Sequence, residues 1–284
     1  MRIIIGNGKV TQQIRKSEDV ILGHKDIEIT DDPIKLVKVL KRAFDKGPCK
    51  DPPVAVINTA ALINLEYCEA NKEECYGVNT LGALNVALAC DALGWKLVHV
   101  SSGCVFDGMG TENKYTEDDI PTPASFYAES KARADALILD AKLDIPVLIL
   151  RPRQLVCATP NKTNLITKFL GVPQPARFIE SANSITSLED FAKMIDHLLN
   201  VKAVGIYNCA NEGFISPYQI AVKLTKLRPD LNPQPIDYQE YLNSIEVKRV
   251  NTCLDISKLK ATGFFPKTAE EVINWCIENY GRQL

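Results

Sequence analysis

The chain of 284 residues lacks several features that would commit it to a special class at sight. It has no apolar run of about 18 residues, the length a membrane-spanning helix needs, so no membrane partner is expected. The opening residues 1–9, Met-Arg-Ile-Ile-Ile-Gly-Asn-Gly-Lys, are interrupted too early for a secretory leader. Charge of one sign is missing too. Lys and Arg number 33 against 35 Asp and Glu, a net charge of -2, and no basic stripe stands out. That argues against nucleic acid as the main partner. Nine cysteines stand at 49, 68, 75, 90, 104, 157, 209, 253 and 276 without one C-x-x-C pair, and nine is odd. Zinc and a disulfide framework both fit badly, so no metal is expected. Most thiols are expected to be buried and reduced, as in a cytoplasmic protein. No internal repeat or low-complexity tract occurs.

What is present is a chain 46% hydrophobic, enough for a sizeable core. Apolar strand-like runs at 2–5, 20–22, 54–58, 96–101 and 144–150 alternate with helical patterns at 34–45, 76–93 and 126–141. Near-continuous apolar strands separated by helices predict an α/β fold, a doubly wound parallel sheet of the Rossmann kind. Its ligands are expected beyond the carboxyl ends of the strands. After Arg151 the rhythm changes, broken by Pro152, Pro160, Pro173 and Pro175. A helix is expected at 188–199 and a short strand at 205–209, and the last 70 or so residues read as helical with Pro-rich joints. The expected division is a cofactor domain of residues 1–157 and 183–210 and a smaller, mostly helical substrate lobe of 158–182 and 211–284.

The first strand runs into Gly6-Asn7-Gly8-Lys9-Val10. In a dinucleotide fold such a turn brings backbone N–H groups against a pyrophosphate, and a Cβ would block the approach. The full glycine fingerprint would also need glycine at 9 and 12, which hold Lys9 and Gln12. An ordinary strand-to-helix turn is the plain alternative. After the second strand, His24 and Lys25 place cations where a 2′-phosphate would sit, favouring NADPH over NADH. Asp26 as an acceptor for the ribose hydroxyl keeps NADH as the less favoured choice.

Tyr127 and Lys131 stand four residues apart and so share a helix face. A neighbouring ammonium favours a phenolate, and such a tyrosine can give a proton to a ketone as hydride arrives. Ser101 and Ser102 close the strand upstream, where Ser102 can polarise the same carbonyl. Asn58, Thr59 and Ala60 end another strand and can line the cofactor cleft; Asn79 is a candidate anchor for the lysine and a water. Tyr76 and Trp95 read as packing residues, and the acidic run at 117–119 as a solvated loop.

In this order the residues resemble the extended short-chain dehydrogenase/reductases over nearly the whole chain. The resemblance rests on Ser-Gly-Cys-Val-Phe (102–106), Glu-Asp-Asp-Ile-Pro-Thr-Pro (117–123), Ser-Phe-Tyr-x-x-x-Lys (125–131), Leu-Arg-Pro-Arg (150–153), Asn-Leu-Ile-Thr-Lys (164–168), Gly-Ile-Tyr-Asn (205–208) and Leu-Asp-Ile-Ser-Lys-Leu (254–259). Within that group the chain is most similar to the bifunctional epimerase/reductases that finish nucleotide-rhamnose synthesis, and it is similar in fold to dTDP-4-dehydrorhamnose reductases and GDP-fucose synthase. The resemblance implies NADPH as cofactor and a UDP- or dTDP-linked 4-keto-6-deoxy sugar as substrate, with a homodimer left open. It implies cofactor contacts from Gly6, Asn7, Gly8, Lys9, Val10, His24, Lys25, Asn58, Thr59, Ala60, Asn79, Ser101, Tyr127, Lys131 and Arg151. Ser102, Asn164, Arg249 and Asn251 are the candidate substrate contacts, Arg249 because guanidinium suits a diphosphate.

The same resemblance makes Cys104 and Lys168 candidate epimerisation residues beside the reductive set Ser102, Tyr127 and Lys131. Inverting a carbon next to a 4-ketone needs a base on one face and an acid on the other. A thiolate and an ammonium can fill those roles. The plainer readings are a small buried hydrophobe for Cys104 and a surface cation for Lys168. Two rival functions stay open: a 4-ketoreductase without epimerase activity, and a non-catalytic regulatory subunit that keeps the fold.

Overall fold

The structure, a computed structural model, describes residues 1–49, 51–108 and 114–282. In chain order it forms β1 (Ile3–Ile5), α1 (Lys9–Ile14), β2 (Val20–Leu22), α2 (Pro33–Asp45), β3 (Val56–Asn58), α3 (Leu65–Ala70), α4 (Lys72–Tyr76), a π-helical turn (Gly77–Leu81), α5 (Gly82–Leu93), β4 (Leu97–Val100), a 3-10 turn (Gly103–Val105), α6 (Phe126–Asp140) and β5 (Val147–Pro152). There follow β6 (Leu155–Val156), α7 (Leu165–Leu170), β7 (Ala176–Ile179), β8 (Thr186–Ser187), α8 (Leu188–Asn200), β9 (Gly205–Cys209), α9 (Pro217–Leu224), β10 (Pro233–Ile236), α10 (Tyr238–Asn243), α11 (Ser257–Ala261) and α12 (Ala269–Glu278).

The main sheet has six strands in the order β2-β1-β3-β4-β5-β9, and the pairings from β2 through β5 are parallel. The register aligns Val20, Ile3, Val56, Leu97 and Val147 in one row. This is the doubly wound α/β arrangement that the sequence predicts. Ile3, Ile4 and Ile5 are all buried, which only a sheet covered on both faces allows. Leu36 and Leu40 of α2, Val86 and Ala87 of α5 and Ile149 of β5 share one core with Ile3 and Ile5. Asp32 caps α2 by accepting from the Ile34 amide, and Pro33 occupies its first turn, where no N–H is needed. Trp95 packs against Phe44 at 5.5 Å between ring centroids, the packing role expected of it. Where the sequence predicts one helix from residue 76, helical structure begins at Lys72 and passes through the π turn into α5.

By internal contacts the chain divides into two compact units: Met1–Val105, Pro123–Arg151 and Leu198–Tyr207 in the first, and Phe106–Thr122, Pro152–His197 and Asn208–Leu284 in the second. The expected bounds put residues 106–122, 152–157, 183–197 and 208–210 in the cofactor domain; contacts group them with the second unit. The reason is visible at Asn208. Its side-chain amide donates to the carbonyls of Tyr115 (2.9 Å) and Asp255 (3.0 Å), and its backbone amide donates to Glu117 (2.8 Å). Glu117 is therefore held, while Asp118 and Asp119 of the same turn are exposed, Asp119 accepting from the Thr116 amide and hydroxyl. Burial pushes the Glu117 carboxyl up, against the lowering effect of the Asn208 amide.

The second unit has its own core of Val156, Ile166, Ile185, Ile220, Leu224, Ile273 and Cys276. Capping boxes start α9 (Ser216 with Gln219) and α12 (Thr268 with Glu271). β10 lies in a stretch that reads as helical from the sequence. It pairs only with β7, and an edge position tolerates its Pro233 and Pro235.

Candidate active site

At the end of β1, Gly6 has φ +108°, and a Cβ there would lie 2.4 Å from Thr59 Oγ1 and 3.1 Å from the Ala60 amide. Glycine is required because the β3 exit crosses directly over it. Thr59 Oγ1 donates to the Ile5 carbonyl at 2.9 Å, with the Thr11 hydroxyl 2.8 Å away. Gly8 is the N-cap of α1, supplies no side-chain cap, and a Cβ there would meet nothing within 4 Å. The N-cap therefore places no side-chain acceptor at the start of α1, an end whose polarity suits phosphate. Gln12 stands where the fingerprint has glycine, and its Nε2 donates to Asn7 Oδ1 at 2.5 Å. The turn accommodates that side chain by bonding it to itself.

After β2, the Asp26 carboxylate accepts from the Gly23 amide at 2.8 Å and so closes its own turn. His24 is exposed with Nδ1 3.4 Å from Glu28 Oε2, and Lys25 is exposed beside it. At the end of β3, Asn58 is fully buried. Its Oδ1 accepts from the Ala60 amide at 3.1 Å, and its Nδ2 has no partner among the described residues. An orphaned donor beside the Gly6 turn suits a ligand with acceptor atoms.

The reductive set stands on β4, the 3-10 turn and α6. Ser101 and Ser102 are buried where β4 ends, and Ser102 Oγ accepts from the Cys104 amide at 3.1 Å. That bond uses a lone pair and leaves the hydroxyl proton able to point elsewhere. Cys104 is half-buried on the 3-10 turn. α6 begins at Ser125, which caps the Ala128 amide, and Glu69 of α3 accepts from the Phe126 amide at 2.6 Å. Two bonds fix the start of this helix, and Tyr127 lies one residue into it, half-buried.

Lys131 is buried, and its Nζ donates to the Val100 carbonyl at 3.0 Å and lies 3.2 Å from His99 Nε2. Burial pushes the ammonium down to about 8, with Asp135 and then Cys75 opposing the shift. Burial, and then the lysine charge, hold His99 well below the usual histidine range. One turn further along α6, Asp135 pairs with Arg151 Nε at 3.1 Å, both side chains 2% exposed. Arg151, a candidate cofactor contact from the sequence, takes part in a buried ion pair between α6 and β5. Asn79 is buried inside the π turn. Its amide accepts from Leu62 N (2.8 Å) and donates to Leu62 O (2.9 Å) and Ser130 Oγ (3.0 Å). It ties the loop after β3 to α6 and has no bond to Lys131 among the described contacts. His99, Asp135 and Glu69 carry roles that the motif spacing did not reveal; a histidine in an otherwise apolar strand was the available signal.

In the second unit, Asn164 is fully buried as the cap of α7. It donates to the carbonyls of Cys157 (2.7 Å) and Thr159 (3.1 Å) and accepts from Ile166 N. Asn251 Oδ1 accepts from Asn183 at 2.9 Å, and the Asn251 backbone is so close to Gly108 that a Cβ there would lie 2.0 Å from its carbonyl oxygen. Both asparagines, candidate substrate contacts from the sequence, bond backbone and neighbouring side chains. Lys168 is exposed in the last turn of α7. Arg249 is half-buried, with its carbonyl accepting from the Tyr238 hydroxyl at 2.8 Å.

The model of the RmlD substrate binding domain family matches residues 9–281. The bifunctional dTDP-4-dehydrorhamnose 3,5-epimerase/dTDP-4-dehydrorhamnose reductase of Arabidopsis thaliana is 27% identical over 219 residues, covering 73% of this chain and 71% of that protein. A trifunctional UDP-glucose 4,6-dehydratase/UDP-4-keto-6-deoxy-D-glucose 3,5-epimerase/UDP-4-keto-L-rhamnose-reductase of the same plant is 28% identical over 222 residues, and the match spans 32% of its length. Among solved structures, dTDP-4-dehydrorhamnose reductase from Bacillus anthracis, in complex with NADP, has a TM-score of 0.84 at 22% identity and covers 100% of this chain and 99% of its own. That last likeness is one of fold.

Proposed function

The chain belongs to the RmlD substrate-binding domain family, and from that membership we propose that it is an NADPH-dependent 4-reductase of a nucleotide-linked 4-keto-6-deoxyhexose. The observation that carries the reading is the Lys131 ammonium, bonded to the Val100 carbonyl at 3.0 Å on the same helical face as Tyr127. The names of the two Arabidopsis relatives support the substrate class.

The cofactor is NADPH, which when bound supplies the hydride that reduces C4. The Gly6 turn and the uncapped start of α1 would hold its diphosphate. His24 and Lys25 would face a 2′-phosphate, while Asp26 is engaged in its own turn. Ser102, whose Oγ already accepts from the Cys104 amide, donates to the C4 oxygen and polarises it. Tyr127 delivers the proton that the developing alkoxide needs, and the neighbouring ammonium stabilises the phenolate left behind. In the second unit, the Arg249 guanidinium is the choice for the sugar-nucleotide diphosphate.

We extend the reading to epimerisation at carbons next to the ketone, with Cys104 as base and Lys168 as the acid returning the proton. The bifunctional relative favours it. Incubation in deuterated water with UDP- and dTDP-linked 4-keto-6-deoxyglucose, first without and then with NADPH, followed by NMR, tests both steps. Wild type is expected to exchange ring protons without NADPH and to reduce C4 with it. Cys104→Ser is expected to lose exchange and still reduce an already epimerised ketone. Wild-type exchange in Cys104→Ser leaves a 4-reductase alone.

A further inference from the structure

Lys131 is a buried cation without a salt-bridge partner among the described residues. Asp135, the carboxylate whose charge acts on it, is paired with Arg151 at 3.1 Å. The ammonium is solvated instead by two neutral acceptors of β4, the Val100 carbonyl at 3.0 Å and the His99 imidazole at 3.2 Å. An ammonium has no lone pair, so Nε2 must face it unprotonated and the imidazole proton must sit on Nδ1. Nδ1 itself has no partner among the described residues, and the ring is 1% exposed. A neutral histidine buried with one nitrogen unpartnered contributes little to the core; its bond to Nζ accounts for its presence in an apolar strand.

We propose that His99 is the positioning residue for the Lys131 ammonium, a neutral acceptor that keeps it charged and fixed at the end of β4. The consequence for turnover rests on the reductase reading; the titration below does not. The other groups around Nζ are identified. On α6 itself the charge acting on it is Asp135, and Tyr127 stands one turn earlier on the same face. Arg151 of β5 acts through Asp135. Cys75 on α4 lies behind Ser130, with Sγ 3.6 Å from Ser130 Oγ. Of the other elements packed against α6, α3 carries Cys68 and Glu69, the latter bonded to Phe126 N, and the 3-10 turn carries Cys104. α5 carries Cys90 and Asp91, the latter bonded to Asp144 N. None of these can replace the Nε2 lone pair at 3.2 Å.

The test is NMR titration of lysine labelled at Cε, with Lys131 assigned by its loss in Lys131→Met. His99→Phe keeps the ring and removes the acceptor, so the charged lysine loses stabilisation and its midpoint should fall by about one unit or more. His99→Gln restores an acceptor oxygen at a similar reach and should return the midpoint most of the way. A His99→Phe midpoint equal to wild type overturns the proposal. Should His99→Phe fail to fold, nitrogen-15 spectra of wild-type histidines decide. A bare Nε2 with protonated Nδ1 between pH 6 and 7, below the lysine midpoint, is the expected state on this assignment; an Nε2–H tautomer, or a ring titrating in that range, overturns it. In parallel, the alkaline limb of the reduction rate should move with the lysine midpoint. If the lysine shifts and the rate profile does not, positioning stands and the reductase role of Lys131 falls.

Discussion

A lysine whose folded midpoint lies near 8 against an ordinary 10.5 reports on the energy of the site as well as its chemistry. Between those two values the unfolded chain binds more protons at this position than the folded chain does. Folding stability contributed by this group therefore rises with pH across the window and is constant below it. Compared with Lys131→Met, wild type should gain stability from pH 8 to 10.5, by up to about 3 kcal/mol for a shift of this size. Urea unfolding of both proteins at four or five pH values reads it directly, and a difference that stays flat contradicts the buried-ammonium assignment. Gly6 makes a second prediction at this scale. Gly6→Ala forces a Cβ to within 2.4 Å of Thr59 Oγ1 at a φ of +108°, so it should weaken NADPH binding about tenfold or more and lower stability. Gly8→Ala meets open space and should be far milder; calorimetric binding of NADPH to the two variants separates them.

Among the elements, α6 is the one on which the site depends, and α4 with its π turn is what holds α6. Asn79, inside that π turn, joins Leu62 to Ser130 through a single side chain. Replacing it with leucine leaves the Leu62 amide and carbonyl without these partners, a cost of about 1–3 kcal/mol for each group that stays buried. Asn79→Leu should therefore lower Tm clearly, and turnover should fall only as far as α6 shifts. What was legible in the sequence follows from the same physics. The apolar runs at β1 and β4 must be strands, and Tyr127 with Lys131 must share a face whatever surrounds them. The protein partners of the asparagines were not legible, because an amide near a motif can serve a ligand or the backbone equally well. Its actual partners lie 17 residues away for Asn79 and 68 for Asn251, a distance no local spacing encodes. β6 and β8 are two-residue strands, too short to impose a period. The π turn keeps a helical hydrophobic pattern and so reads as ordinary helix.

At the scale of the molecule, the chain is two units with separate cores, and the residues proposed for chemistry divide between them. Ser102, Cys104, Tyr127 and Lys131 belong to the first, and Lys168 and Arg249 to the second. No helix among the described residues is long and apolar enough to cross a membrane. On the proposed reading, cofactor choice belongs to the first unit, where exposed Lys25 follows β2. Wild type should bind NADPH more tightly than NADH, and Lys25→Ala should narrow the gap. Equal dissociation constants in wild type remove that argument. The most direct measurement of the central claim is NADPH oxidation with a 4-keto-6-deoxyhexose linked to UDP or dTDP, comparing wild type with Tyr127→Phe. The account predicts one NADPH consumed per C4 alcohol formed by wild type, and a rate lower by about 10²–10⁴-fold in Tyr127→Phe with NADPH binding retained. No consumption by wild type with either nucleotide, or Tyr127→Phe turning over within threefold of it, contradicts the account.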